Sequence, residues 1–260
     1  MSDVALALRQ VKYENRSFWR NPASAFFTFV FPIMFMIIFN LIFGSSKYSP
    51  FGANATVSDF YTPALMAFSI ITACYTNIAM GVVFAREEGI LKRLRGTPLP
   101  PWVYLAARIA VSVIVAVLLV VIIGVFGRVF YHVKLPGVRT LPALVVALVV
   151  GAATFSAIGL AMTSFVPNVD AAPAVVNATI FPLLFISDIF IPIQNHHGVL
   201  TKIANIFPVK HLSNAVITAY NPHTIGTGFE GKDLVIMGAW GVAALIVALR
   251  GFRWEPKEQS

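Results

Sequence analysis

The segment GTGFEGKD, residues 226–233, has the spacing of a phosphate-binding loop, with Gly226, Gly231 and Lys232 at the positions that cradle phosphate. Nucleotide chemistry would also need a Ser or Thr after the lysine to coordinate magnesium, and Asp233 stands there instead. Glu230 would repel phosphate, and we expect no strand ahead of the loop. The segment therefore predicts no nucleotide site, and we expect the chain itself to bind neither ATP nor Mg²⁺.

Four histidines lie in the same part of the chain and raise the question of a metal site: His196, His197, His211 and His223. A zinc site needs ligands at suitable spacing, such as two histidines one helical turn apart or a nearby cysteine or carboxylate. These histidines have no such companions, and the chain contains no Gly-x-Ser-x-Gly motif of a serine hydrolase. We therefore predict neither a metal centre nor a catalytic residue.

The densest charge in the chain lies in AREEGILKRLRGTPLPPW, residues 85–102. Glu88, Lys92 and Arg95 are spaced i, i+4, i+7, with the glutamate ahead of the lysine in the order that stabilises a helix. Three apolar residues form a separate small patch: Ile90, Leu91 and Leu94. The pattern predicts a short surface helix over 85–101 that docks a partner, whereas a solvated loop that only sets topology is the alternative.

The composition around this insert is that of a membrane protein. The chain has 260 residues, of which 58% are hydrophobic and 12% charged, against roughly a quarter charged in soluble domains. Six apolar stretches are candidates for spanning helices of about 20 residues, although the last is short. They are 24–43, 60–84, 103–126, 141–165, 171–191 and 234–249. We predict an all-α integral membrane protein with a single domain over 1–260.

The distribution of basic residues predicts the orientation. Six spans place both termini on one side, and 12 of the 19 Lys and Arg residues fall inside if that side is cytoplasmic. The net charge of +8 is then explained by topology and by contacts with anionic lipids rather than by nucleic acid. The segment 192–230 is outside in this arrangement; being short and interrupted by Pro208, it predicts re-entrant or surface helices.

The first 23 residues predict an amphipathic helix lying on the inner membrane surface. One face of the helical wheel carries Arg9, Lys12, Arg16 and Arg20, and the other carries Val4, Leu8, Val11 and Phe18. Asn21 and Pro22 mark the turn from this helix into the bilayer.

The fifth apolar stretch differs from a plain spanning helix. Pro173 and Pro182 predict kinks, and Asn177, Ser187 and Asp188 bring polar groups into or near the hydrocarbon. An aspartate at mid-membrane costs about 2.5 to 3.5 kcal/mol on insertion scales, so it must face protein or water. Asp188 therefore either faces a pathway or lies at the outer rim.

The charged insert resembles the signature that follows the second span in type-2 ABC transporter permeases (the ABC-2 type), above all in the drug- and antibiotic-export branch. The resemblance is carried by Arg86-Glu87-Glu88-Gly89-Ile90-Leu91-Lys92-Arg93-Leu94, followed by Thr97-Pro98-Leu99. The amphipathic start, the six spans and the segments FISDIFIP (185–192) and IFPVKHLSNAV (206–216) are similar to the same family. Two positions depart from its pattern: Ile90, where threonine is common, and Asp188, where glycine is common.

The resemblance implies a transport subunit of an ATP-driven exporter that moves drugs, antibiotics or lipids out across the cell membrane. Two copies of a separate cytoplasmic ATPase subunit would bind ATP and Mg²⁺, and a second permease subunit would complete the pathway within the membrane lipids. The implied ATPase-coupling residues are Arg86, Glu87, Glu88, Leu91, Arg93 and Leu94. The polar residues that could line the pathway, or could instead bond helix to helix, are Asn40, Thr72, Asn77, Asn177, Ser187 and Asp188.

Two other functions remain open from the residues alone. A glycan precursor is the main rival cargo for an exporter. A different class is an ATP-independent membrane protein, either a secondary transporter or a scaffold. A secondary transporter would place ionisable groups at mid-membrane for ion coupling, and Asp188 is the only candidate.

Overall fold

The computed structural model describes residues 3–43, 46–47, 55–96, 99–191 and 198–251. Within these ranges the regular structure is helical apart from an isolated antiparallel bridge between Lys47 and Thr56. The predicted all-α class is confirmed. The helices are α1 (Asp3–Arg20), α2 (Pro22–Phe43), α3 (Val57–Ile70), a π-helical segment (Ile71–Thr76), α4 (Asn77–Glu87), α5 (Ile90–Arg95), α6 (Pro101–Tyr131), α7 (Leu141–Met162), α8 (Ala172–Ile186), α9 (Val199–Ala204), α10 (Pro208–Tyr220) and α11 (Gly231–Gly251).

Five of these stretches are long and apolar enough to cross a membrane: Ala25–Phe43, Val57–Glu87, Trp102–Tyr131, Leu141–Met162 and Gly231–Gly251. They correspond to the predicted spans one to four and six, and the last is longer than predicted. The second is continuous through α3, the π-helical segment and α4. The protein is therefore a multi-pass membrane protein.

The fifth predicted span is the exception. Its helix, α8, has 15 residues, which is about 22 Å long and shorter than the hydrocarbon core of about 30 Å. Asp188 adopts φ 60°, the left-handed conformation that ordinary side chains avoid and that glycine, asparagine or aspartate accepts. The chain therefore leaves the helix at residue 187, and the apolar residues up to 191 continue without regular helix.

The two prolines of this stretch behave differently. Pro182 lies inside α8 as predicted, but Pro173 lies in the first turn. An N–H in the first turn has no intrahelical acceptor, so a proline there breaks no hydrogen bond. The kink predicted at Pro173 is wrong for that reason.

Several elements meet at one end of the bundle, which we call the α1 end. Glu14 of α1 pairs with Arg108 near the start of α6, with 3.3 Å between Oε2 and Nε. Gly251, at the end of α11, packs closely against Ser164 in the turn after α7. A Cβ atom added at Gly251 would lie only 2.7 Å from the Ser164 hydroxyl. Helix α1 and the last turn of α11 therefore lie at the same end of the bundle.

Helix α1 has the predicted amphipathic character. Val11 and Phe18 pack against the core, while Arg9, Lys12 and Arg16 are exposed. Leu8 departs from the prediction because it is 67% exposed. The side chain of Val4 lies outside those the structure describes.

Helices α9 and α10 form a re-entrant pair rather than surface helices. The turn between them reaches the middle of α11, where Trp240 Nε1 donates a hydrogen bond to the Ile206 carbonyl at 2.7 Å. Leu212 of α10 packs against Gly151, in the middle of α7, and most residues of α10 are buried. The pair thus enters the bundle from the end opposite α1 and stops near mid-depth.

Candidate functional site

The charged insert is not the single helix predicted over 85–101. Helix α4 runs through Glu87, Glu88 lies in a turn, and Gly89 has φ 71° before α5 begins at Ile90. Glycine suits this position because it adopts the left-handed conformation without steric cost. Glu88 and Lys92 therefore do not share a helix, and their expected i, i+4 pairing is wrong. Thr97, Pro98 and the side chain of Arg95 lie outside what the structure describes.

The side chains of the insert divide into an anchored set and an exposed set. Leu91 is fully buried in a small cluster with Tyr104, Leu160 and Ala244, and Leu94 packs against the same cluster. These two residues hold α5 on the protein's own bundle. Four residues are exposed and form what we call the coupling surface: Glu88, Ile90, Lys92 and Arg93.

Arg86 and Glu87 lie behind that surface. The Arg86 side chain is 2% exposed and donates hydrogen bonds to the carbonyls of Thr163 and Val166, both at 3.0 Å. Its Nε also donates to the Glu87 carboxylate at 3.1 Å. Arg86 is therefore directed into the protein, toward the turn between α7 and α8.

Three of the predicted pathway residues come together in one cavity. Thr72 of the π-helical segment, Asn77 of α4 and Asn177 of α8 line a cavity of about 270 Å³, which we call the polar cleft. Neither asparagine amide is hydrogen-bonded within the described part of the chain. The other cleft walls are mainly apolar and include Phe27, Phe31, Phe68, Ile71, Ile180, Phe181 and Leu184.

The π-helical segment places Thr72 and Asn77 on the wall of the cleft. The backbone N–H of Asn77 donates to the Thr72 carbonyl, five residues back, instead of to the usual fourth. The hydroxyls of Ser69 and Thr72 bond to carbonyls of the preceding turn, at 2.8 and 3.1 Å, which loosens a helix. Such bulges are frequent at functional sites because they change the direction of the following side chains.

The other three pathway candidates lie elsewhere. Asn40 donates to the Met36 carbonyl at 2.7 Å and accepts a hydrogen bond from Ser58, so it joins α2 to α3. Ser187 is fully buried, and Asp188 forms an ion pair with Lys210 of the re-entrant helix. The structure does not bring these three side chains into the polar cleft.

An aromatic cluster adjoins the cleft on its side toward the end opposite α1. Phe31 and Phe68 belong to both, and the cluster continues through Phe35, which lies 5.1 Å from Phe190 between ring centroids. Tyr61 donates a hydrogen bond to the Phe190 carbonyl at 3.1 Å and fixes this segment in place. The cleft is therefore bounded by packed rings on that side.

A second, larger cavity of about 670 Å³ lies beside α1, α4 and α6. The ion pair of Glu14 and Arg108 and the hydroxyl of Ser112 are on its wall. Both cavities are lined by Phe27, Thr28, Thr76 and Asn77. The larger cavity therefore adjoins the polar cleft on the side toward the α1 end. Sequence reasoning missed this cavity, although Arg108, a charge inside an apolar stretch, was a signal for it.

The re-entrant helix carries a buried charged group of its own. His211 Nδ1 lies 2.6 Å from the Asp233 carboxylate, and Nε2 lies 2.9 Å from the Asn205 carbonyl. Both partners are acceptors, so the imidazolium form, in which both ring nitrogens donate, is the form that satisfies both contacts. Burial opposes the charge, but the hydrogen bonds to Asp233 and Asn205 outweigh it and raise the pKa of His211.

This arrangement accounts for residues that resembled a metal site and a phosphate loop. Asp233 also accepts a hydrogen bond from Asn214, so its carboxylate is occupied by two partners. His223 is exposed and does not join His211, whereas His196 and His197 lie outside the described residues. The pair of His211 and Asp233 was not predicted because 22 positions separate the two residues.

The stability of the folded protein should fall with rising pH, because His211 loses its proton and with it one of its two hydrogen bonds. The folded-state pKa lies above the free value of about 6.5, so the stabilisation is complete below about pH 6.5 and is lost as pH rises through the raised pKa. We expect the melting temperature of purified protein to decrease between pH 6 and 8.5, and the decrease to be smaller in His211→Gln. If the melting temperature depends on pH equally in the parent and in His211→Gln, the raised pKa of His211 is contradicted.

These features define the class of protein: a multi-pass helical membrane protein with a mid-depth cleft that adjoins a larger cavity near the α1 end. Residues 7–220 match the ABC-2 type transporter family, and the chain therefore belongs to it. The members are membrane transport subunits, generally not catalytic themselves and generally partnered by an ATPase subunit. The chain is also 25% identical over 229 residues to a Porphyra purpurea protein named as a transport permease, ycf38, covering 87% of this chain and 76% of that protein.

Proposed function

We propose that this chain is the permease subunit of an ATP-driven exporter in the cell membrane, with a hydrophobic or amphipathic compound as its cargo. The observation that carries the proposal is the polar cleft, where Thr72, Asn77 and Asn177 converge among aromatic walls. Amides left unpaired in an apolar cavity favour a ligand that offers hydrogen-bonding groups. Drugs, antibiotics and lipids have this combination.

The chemistry of the cleft argues against ion-coupled transport. A secondary transporter would place ionisable side chains at its mid-membrane site, and the described lining of the polar cleft contains none. Asp188, the candidate from sequence, is paired with Lys210 instead. An ATP-independent transporter is therefore the less supported alternative.

The energy source in this proposal is a cytoplasmic ATPase subunit that contacts the coupling surface. Glu88, Lys92 and Arg93 are exposed beside the exposed apolar side chain of Ile90, which is the mixture of charge and apolar area that a docking site needs. The α1 end then faces the cytoplasm, together with both termini. Two ATPase copies would bind ATP and Mg²⁺, and their closure would move α5.

A second permease subunit would cover the exposed face of α2. Only 17% of the residues in the most apolar stretch of α2 are buried. Its exposed large side chains include Phe26, Phe27, Met34, Ile37, Leu41 and Ile42. Because Phe27 is also on the walls of both cavities, a second subunit on this face would enclose the cleft within a shared pathway.

The proposal predicts that the coupling surface is needed to retain the ATPase. The test uses cells that express a tagged permease together with the partner ATPase. We expect the double variant Glu88→Lys, Arg93→Glu to retain about tenfold less nucleotide-hydrolysing subunit than the unsubstituted permease, because the charges facing the partner are inverted. Arg139→Glu changes the charge of another exposed arginine and should retain the subunit. ATPase retention and hydrolytic activity in the purified sample are the measurements.

Two results would contradict the proposal. One is that no nucleotide-hydrolysing subunit purifies with the unsubstituted permease. The other is that the double variant keeps both the subunit and cargo export at the level of Arg139→Glu.

A further inference from the structure

Arg86 is too deeply buried to contact another subunit, although it lies one turn from the coupling surface. It is 2% exposed, and all three kinds of guanidinium nitrogen have partners in the described part of the protein. Two of those partners, the carbonyls of Thr163 and Val166, belong to the turn between α7 and α8. The side chain therefore joins the end of α4 to that turn.

The chemistry of this contact is specific to arginine. Thr163 caps the end of α7, where the last carbonyls of a helix lack intrahelical partners and carry the negative end of its dipole. A planar guanidinium can bind two carbonyls and a carboxylate at fixed angles, whereas the ammonium group of lysine is a point charge on a flexible stem. Lysine at this position would keep the charge and lose the geometry.

Arg86 joins α4, which carries one amide of the polar cleft, to the turn that leads into α8, which carries the other. Asn77 lies in α4, nine residues before Arg86, and Asn177 lies in α8, which begins after the turn that Arg86 holds. A second link lies at the depth of the cleft, where the Tyr75 hydroxyl is 2.5 Å from the Thr179 hydroxyl of α8. The second span is thus linked at two levels, by Tyr75 to α8 itself and by Arg86 to the turn before α8, and the Arg86 link is the nearer to α5.

We propose that Arg86 is a positioning residue that transmits movement of α5 to both amide walls of the polar cleft. Only Glu87, Glu88 and Gly89 separate it from α5. A displacement of α5 therefore reaches α4 through the chain and α8 through the hydrogen bonds to Thr163 and Val166. The inference rests on the proposed function, since it assumes an ATPase that displaces α5.

The test measures whether α8 responds to ATP. Ala178 is exposed on α8 next to Asn177, and Ala178→Cys provides a thiol, because the natural Cys74 is fully buried. The permease and its ATPase subunit are reconstituted together in liposomes. The rate of modification by a water-soluble methanethiosulfonate reagent is then measured with and without ATP plus vanadate. The parent, Arg86→Gln, Arg86→Lys and the exposed control Arg139→Gln are compared, all carrying Ala178→Cys.

We expect ATP plus vanadate to change the modification rate in the parent and in Arg139→Gln. In both Arg86 variants the ATP-dependent change should shrink by about tenfold, although the ATPase stays bound and hydrolyses ATP. A residue that only stabilises the fold would lower the yield or the melting temperature and leave the ATP-dependent change intact in the protein that folds. Arg86→Lys retains the buried charge and keeps the test valid if Arg86→Gln does not fold.

Four results would overturn the inference. The inference alone is overturned if ATP plus vanadate changes the modification rate in the Arg86 variants as much as in the parent. It is also overturned alone if the modification rate of the α8 thiol in the parent does not change while ATP is hydrolysed. Failure of both Arg86 variants to assemble would assign the residue a structural role only. A parent that binds no ATPase subunit would overturn the proposed function as well, which separates the two failures.

Discussion

Replacing Gly159 by alanine is expected to destabilise the protein by about 2 kcal/mol, because the added methyl group overpacks a helix contact. A Cβ at this position of α7 would lie 2.8 Å from the Tyr75 carbonyl oxygen and 3.1 Å from that of Cys74. Both oxygens are backbone atoms of the π-helical segment, so they cannot rotate away as a side chain would. The unfolding free energy of protein purified in detergent is the measurement.

Gly238→Ala is the matched control for this prediction. Gly238 also lies within a helix, α11, but a Cβ there would meet no other atom within 4 Å. Alanine is the better helix former by about 1 kcal/mol, so this variant should be as stable as the parent or more stable. Equal destabilisation by the two substitutions would show that α7 and the π-helical segment do not approach as closely as described.

The double substitution Asn77→Leu, Asn177→Leu is expected to lower cargo export by about 30-fold. Each amide hydrogen bond to the cargo contributes about 1 kcal/mol, and the loss of two together corresponds to a factor of about 30. Leucine is similar in size to asparagine and keeps the cleft filled, so the change removes polarity and little else. ATPase association should be unaffected, because Asn77 lies at the start of α4, about three helical turns before Glu88, and Asn177 lies in α8, which contributes no residue to the coupling surface. Export and cargo-stimulated ATP hydrolysis, measured over a panel of amphipathic drugs and lipids, are the readouts.

Asn40→Leu separates this effect from a general loss of polar contacts. Asn40 joins α2 to α3 through Met36 and Ser58 and does not line the cleft. Its substitution should lower the melting temperature and leave the cargo concentration for half-maximal stimulation unchanged. If the cleft variant exports every compound as well as the parent, the amides do not bind cargo and serve only within the helix bundle.

The spanning helices could be predicted because a lipid environment leaves the backbone few choices. Within hydrocarbon each N–H and C=O must be satisfied internally, so a long apolar stretch becomes a helix. The prediction of a spanning helix from a long apolar stretch was correct for α2, α6, α7 and α11 and for the continuous span Val57–Glu87. It failed for the end of the fifth stretch, where hydropathy continues to residue 191 but Asp188 turns out of the helix and pairs with Lys210.

The charged insert also has features that the sequence predicted and features that it could not predict. Their polarity predicted a surface element, and Glu88, Lys92 and Arg93 are exposed. Polarity could not show that Arg86 turns inward, because its partners are backbone carbonyls, which every residue possesses. The helical spacing likewise could not reveal the break at Gly89, since the charges fit an unbroken helix equally well.

The sequence by itself determined the class of protein, the places where the chain crosses the membrane and the family signature in the insert. These depend on local composition, which acts on each segment separately. Only the tertiary structure decided that Thr72, Asn77 and Asn177 share one cleft while Asn40, Ser187 and Asp188 do not. The physical reason is that the rotation and depth of each helix are set by its neighbours, through contacts such as Tyr75 with Thr179 and Gly159 with the π-helical segment.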